Sequence, residues 1–174
     1  MSQYYLEPIY NLLRQKLLEQ PILHADETSY KVLESDTQLT YYWTFLSGKH
    51  DGKGITLYDH DKKYSGLVVQ KSLGDYNGYI HCDMWSAYRQ LANAKLVGYW
   101  AHVRRKFFEA TPKQADKVSL GLKGLTYCDR MFALEEKWAD LPPQDRLKKR
   151  QAELAPLMTE FFDWCRDPAV LPEF

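Results

Sequence analysis

The chain has 174 residues, enough for one domain with a full hydrophobic core or for one domain with an excursion. Its 23 basic and 23 acidic residues cancel, which excludes a global field that gathers nucleic acid and leaves only local patches for that purpose. Aromatic residues make up 14%, a content that fits a sheet-containing globular protein and not a disordered one, and no apolar run is long enough to span a bilayer.

Residues 4–20 carry Leu6, Ile9, Tyr10, Leu13 and Leu17 at helical spacing, and Pro21 stops the helix. This helix is expected either to cover one face of the following sheet or to close a larger N-terminal region. From Ile22 the pattern turns to strands. Ile22–Asp26 and Tyr30–Leu33 read as extended, Glu34–Gln38 as a turn, and Tyr41–Leu46 as a strand rich in β-formers. The hairpin signal Asp51-Gly52 leads into Ile55–Tyr58. Three consecutive antiparallel strands make a meander. Ser65–Leu73 is then a short helix ended by Gly74, Tyr79–Asp83 a fourth strand, Ser86–Asn93 a short helix and Leu96–Trp100 a fifth strand, running into a helix over Val103–Ala110. Strands separated by helices are expected to join as parallel neighbours. After Pro112, helix formers dominate. Leu120–Leu141 and Gln144–Trp164 read as an antiparallel helical hairpin turned at Pro142-Pro143, with Pro168 and Pro172 ending it. The expected organisation is an N-terminal helix over 1–21, an α/β core over 22–112 and a helical insertion over 113–174.

Two apolar strands end in an acid. Ile22-Leu23-His24-Ala25-Asp26-Glu27 is one and Tyr79-Ile80-His81-Cys82-Asp83 the other. An acidic pair at the end of a hydrophobic strand is costly to hold unless something binds it. Two such strand ends point to a shared site for a divalent cation, and carboxylates suit the hard ions Mg²⁺ and Mn²⁺. The competing reading is that each aspartate forms a turn or caps a helix. Glu27 points to the opposite face from Asp26 and is expected to be structural. His24 and His81 each stand two residues before an acid, on its face of the strand. The three cysteines, Cys82, Cys128 and Cys165, are widely separated and have no metal-ligand spacing, which fits a reducing cytoplasm.

The order of three antiparallel strands followed by α-β-α-β resembles that of ribonuclease-H-like domains, in which two catalytic aspartates lie side by side. Three blocks carry a closer resemblance: His24–Thr28, Gly78–Asp83 with Ala87-Tyr88, and Trp100-Ala101-His102-Val103-Arg104-Arg105-Lys106-Phe107-Phe108. Together they resemble the bacterial DDE transposases of the insertion-sequence-sixty-six family, over roughly residues 6–170. The resemblance implies a ribonuclease-H-like mixed sheet with a helical-hairpin insertion. It also implies DNA ends and target DNA as partners, a possible homo-oligomer in the transposition complex, no membrane, and a bacterial cytoplasmic location. Asp26 and Asp83 would be the first two acids of a triad that holds two Mg²⁺ or Mn²⁺ ions about 3.5–4 Å apart around a phosphodiester displacement.

The family's third acid is a glutamate in an Asn-Asn-x-x-Glu-Arg context, and no such string occurs in these 174 residues. The chain is therefore expected to be a piece of the enzyme that does not cleave DNA alone. His102, Arg104, Arg105 and Lys106 are the candidate phosphate contacts, against the alternative of a solvated basic face. Arg146, Lys148, Lys149 and Arg150 read as a solvated helix face. Two rival functions remain: a non-catalytic remnant that binds DNA or a sibling transposase chain, and a stand-alone nuclease whose third acid would be Glu109.

Overall fold

The computed structural model describes residues 2–31, 39–48, 54–61, 66–114, 119–168 and 170. The expected turn at 34–38, the Asp51-Gly52 hairpin and Pro172 lie outside them. The chain is α/β and divides into two compact units, 1–99 and 100–174.

The first unit holds a five-stranded mixed sheet in the order β3-β2-β1-β4-β5. Strand β1 (Ile22–Lys31) pairs antiparallel with β2 (Leu39–Ser47), which pairs antiparallel with β3 (Thr56–Asp61). On its other side β1 pairs parallel with β4 (Tyr79–Cys82), and β4 pairs parallel with β5 (Lys95–Gly98). The meander and the parallel additions are thus both present. The two extended pieces expected around Thr28-Ser29 are one ten-residue strand, because β2 supplies partners for every residue from Leu23 to Lys31. The second short helix shrinks to a single 3₁₀ turn, Ser86–Gln90.

Period-2 alternation sorts the sheet's two faces. Leu23 and Ala25 of β1, Trp43 and Phe45 of β2, Leu57 of β3, and Ile80 and Cys82 of β4 are all buried on one face. Helix α1 (Ser2–Leu18) adds Leu17 to this core, α2 (Gly66–Leu73) adds Val68, Val69 and Leu73, and the 3₁₀ turn adds Ala87 and Tyr88. Each large aliphatic side chain so buried contributes about 1.5–3 kcal/mol. Helix α1 thus packs on the sheet through Leu17. Arg14 fixes its angle by donating from Nε to the Ser72 carbonyl at 2.9 Å and from its terminal nitrogen to that of Lys71 at 2.8 Å, which satisfies carbonyls that the end of α2 leaves open.

The second unit is helical. It comprises α3 (Trp100–Ala110), α4 (Leu120–Lys137), α5 (Pro143–Lys149) and α6 (Ala155–Arg166). The fifth strand stops at Gly98, so Trp100 opens a helix where a strand end was expected, and α3 belongs with the helices rather than with the sheet. Ser119 caps α4 by accepting the Leu122 N–H at 3.4 Å. The expected second hairpin helix is interrupted by one π-turn, Arg150–Leu154, in which the Ala155 N–H reaches back to the Arg150 carbonyl. Pro156 is the cause: it has no N–H for the carbonyl of Ala152, and its ring crowds that carbonyl, so the helix widens by one residue before it. Tyr127, Met131, Leu157, Phe161 and Trp164 form this unit's core, with Trp100 and Phe107 packed against it.

Candidate metal centre

The parallel pairing of β1 with β4 places His24 beside His81, and that of β4 with β5 places His81 beside Val97. Counting two residues on along each strand gives Asp26, Asp83 and Tyr99. Asp26 is the fifth residue of the ten-residue β1, mid-strand and not at a strand end as the sequence suggested, because pairing with β2 carries the strand on to Lys31; Asp83 and Tyr99 stand one residue beyond the ends of β4 and β5. Adjacent strands run about 4.8 Å apart, and the paired residues nearest the two aspartates are His24 and His81.

The chain around Asp83 is shaped to leave the sheet there. The Asp83 carboxylate accepts the Trp85 N–H at 2.8 Å, and Met84 between them takes a left-handed backbone with φ of 67°. A non-glycine residue in that region is strained. Gly98 on β5 gives the Met84 side chain its room, since a Cβ there would stand 3.1 Å from Met84 Cγ. The turn-forming role weighed for Asp83 is therefore real, and it does not exhaust the side chain, because one oxygen accepts the turn N–H and the carboxylate keeps further lone pairs. Asp26 is exposed and Asp83 half-buried.

Behind the carboxylates stands an aromatic wall. The His24 and His81 rings stack with centroids 4.9 Å apart and planes 23° apart, and the Tyr99 ring lies 6.3 Å from the first and 6.0 Å from the second. Tyr99 donates its hydroxyl to the His81 carbonyl at 2.9 Å. Burial, helped by the neighbouring His81, holds the His24 imidazole below its ordinary value. Burial, and then the charge of Asp26 and lesser fields from Cys82 and Asp83, push the Tyr99 phenol up to about 12. Tyr99 thus feels both carboxylates from one position. Its sequence signal was its offset of two from Val97, legible only once β5 is paired with β4.

Glu27 faces the core side as its parity requires. It accepts the Tyr88 hydroxyl at 3.0 Å, and burial together with the Glu27 charge drives the Tyr88 phenol upward. Its role is structural.

The residues fit a hard cation in one specific sense. Magnesium commonly takes one or two protein carboxylates and fills its remaining positions with water and substrate phosphate, and a pair of accessible carboxylates offers that. Among the described residues no group of three or more His, Cys, Asp or Glu side chains is arranged to hold a metal ion.

The sequence profile of the family described as "Transposase IS66 family" matches residues 1–173. The chain belongs to the IS66 transposase family. Among curated proteins it is similar to two uncharacterized proteins of Sinorhizobium fredii. It is 24% identical to y4hP over 181 aligned residues, covering 91% of this chain and 33% of the relative. To y4jD it is 23% identical, covering 90% of this chain and 34% of that one. This IS66-family chain spans about a third of the length of the curated relatives it matches. No solved structure matches it.

The remaining candidates lie on the helices of the second unit. His102, Arg104, Arg105 and Lys106 follow one another on α3. Arg104 pairs with Asp129 at 2.6 Å and Lys106 with Glu109 at 3.1 Å, each pair substantially exposed. In the 146–150 run every cation has a partner within the unit. Arg146 donates to the carbonyls of Trp138 and Ala139, Lys148 meets Asp145, Lys149 meets Glu153, and Arg150 grips Glu135 through two bonds of 2.6 and 2.7 Å. The Arg150 guanidinium holds the Glu135 carboxyl below its usual range. Arg146 and Arg150 fasten α5 and the π-turn to the end of α4, while Lys148 and Lys149 pair along their own stretch of helix.

Proposed function

We propose that residues 22–99 form the ribonuclease-H-like catalytic core of a DDE transposase, in which Asp26 and Asp83 together hold Mg²⁺ or Mn²⁺ and the DNA phosphodiester is the substrate. The observation that carries this reading is the matched register of the two aspartates on adjacent parallel strands, in a chain of the IS66 transposase family. The sheet order, with a three-stranded meander followed by two parallel strands, supports the fold.

Asp26 and Asp83 would each contribute carboxylate oxygen, Asp26 from the strand and Asp83 from the turn that Trp85 fixes. When bound, the cation would supply Lewis-acid stabilisation of charge on the phosphate oxygens. Hydrolysis adds water across the phosphodiester: a new P–O bond forms, the P–O3′ bond breaks and the 3′-oxygen leaves as a hydroxyl. That hydroxyl then attacks a phosphorus of target DNA: the new O3′–P bond forms as the target's own P–O3′ bond breaks, and the target 3′-oxygen leaves as a hydroxyl after taking up the proton given up by the attacking one. Tyr99, with its raised phenol, stays neutral and protonated at physiological pH. It braces the His81 backbone beside Asp83 without adding charge to the site. On α3 the ion pairs of Arg104 and Lys106 are exposed, hence weak and screened. Arg104 and Lys106 would exchange these carboxylates for DNA phosphates, and Arg105 and His102 lie beside them on α3.

Manganese followed by paramagnetic broadening of backbone amide signals tests the metal site. The amides of Glu27, Met84 and Tyr99 should broaden first. Broadening centred on another cluster would refute the assignment.

A further inference from the structure

The face of the sheet that carries Asp26 continues away from the carboxylates as a row of rings. Alternation puts Thr28 and Tyr30 of β1 on this face. Pairing puts Tyr42 opposite Thr28, Tyr58 opposite Thr44, and His60 opposite Tyr42. Every buried hydrophobic side chain of the described strand residues belongs to the other face, so these rings do not serve the core. Tyr30 and Tyr42 stack with centroids 4.4 Å apart and planes 15° apart, and are joined by a side-chain hydrogen bond. His60 closes the group at 5.6 Å from Tyr42 and 6.1 Å from Tyr30. Tyr42 is 46% exposed and Tyr58 64%. Phenol rings held in a row with this much surface in water are unusual for a sheet face that is only polar.

The chemistry of the patch selects among occupants. On this face the described residues of β1, β2 and β3 include no lysine or arginine, so none of those residues offers the cation that grips a duplex phosphate, the main source of duplex affinity. Flat aromatic rings do offer stacking surface to the π-face of a base, which is open only where the base is unstacked. The position agrees. Tyr42 stands opposite a residue two beyond Asp26, and Tyr30 lies four beyond it, which is about 7 and 13 Å along the strand. Those offsets match roughly two and four nucleotides of stacked strand rise measured from a phosphate at the carboxylates.

We propose that Tyr30, Tyr42 and His60 form a stacking platform for unpaired DNA bases next to the strand end held at Asp26 and Asp83. The proposal rests on the reading of those aspartates as the phosphodiester site. It assigns the substrate's form there: DNA opened or single-stranded beside the scissile phosphate.

The test is fluorescence anisotropy of the full chain in Mg²⁺ with a fluorescein-labelled oligothymidine, the same backbone with abasic sites, and a duplex of the same length. The platform requires the abasic strand to bind about tenfold more weakly than oligothymidine, a comparison that needs no variant. Tyr42→Leu should lose the same factor for oligothymidine and leave the duplex unchanged, while Tyr42→Phe, which keeps the ring, should bind as the parent does. Equal binding of abasic and thymidine strands, or equal losses of single strand and duplex in Tyr42→Leu, would overturn the platform. Asp26→Asn is measured alongside: if it changes nothing while the Tyr42 and abasic effects stand, the phosphodiester reading fails and the base platform does not.

Discussion

Tyr99 is the residue at which the site reports on itself. Its phenol is raised from 10.0 to about 12, first by burial and then by Asp26, with Asp83 adding to the field. A carbon-13 NMR titration of the tyrosine rings is expected to show Tyr99 ionising near 12, and the double variant Asp26→Asn, Asp83→Asn should bring it down without reaching 10, because burial is the larger cause and remains. The sign for stability follows from linkage. A phenol whose value is raised in the fold favours folding fully below its unfolded value near 10. That contribution is lost as pH rises through 10 toward 12. Tyr76, also pushed up to about 12 by burial, adds to alkaline unfolding in the same window. The aspartates themselves were legible in the sequence because each ends a short apolar run, a pattern that survives any error in strand boundaries. Tyr99 was not, since its place depends on the register between two strands that lie 13 residues apart from the end of one to the start of the next.

At the scale of elements, sequence reading succeeded where one force dominates and failed where two compete. The meander strands, α2 and the stop at Pro21 follow from local pattern alone. Strand β1 runs through Thr28-Ser29 because pairing with β2 outweighs their modest propensity. The helix after Pro143 carries good formers throughout, and only the missing N–H of Pro156 produces its π-turn. Close packing of α3 on α4 depends on a residue with no propensity to recommend it. A Cβ on Gly124 would overlap the Phe107 ring, so the helices approach only because that position is glycine. Gly124→Ala, which by propensity alone should stabilise α4, is expected instead to destabilise the helical unit by about 1–3 kcal/mol through overpacking. Urea denaturation of parent and variant decides between the two signs.

For the whole molecule, balanced charge leaves the proposed DNA contacts to local patches and not to a global field. If α3 provides the phosphate contacts, replacing Arg104, Arg105 and Lys106 with alanine should lower the slope of log K against log salt by about 0.9 for each DNA phosphate that is no longer neutralised. The same replacement in the 146–150 run should leave the slope nearly unchanged if α3, and not that run, meets the phosphates. Anisotropy with duplex DNA across a salt series measures both. No helix among the described residues is long and apolar enough to cross a membrane, and the chain covers about a third of each curated relative named above. The activity is accordingly proposed for proteins of the relatives' length, and the part proposed for this chain's residues is the carboxylate pair Asp26 and Asp83.

The most direct measurement of that pair is a calorimetric titration of Mn²⁺ into the parent chain, Asp26→Asn and Asp83→Asn. Shared coordination predicts binding by the parent that is lost in each single variant and not merely halved, because neither carboxylate alone supplies the site. Binding that survives in either variant at the parent's affinity and stoichiometry would contradict the central claim, as would no binding to the parent at all.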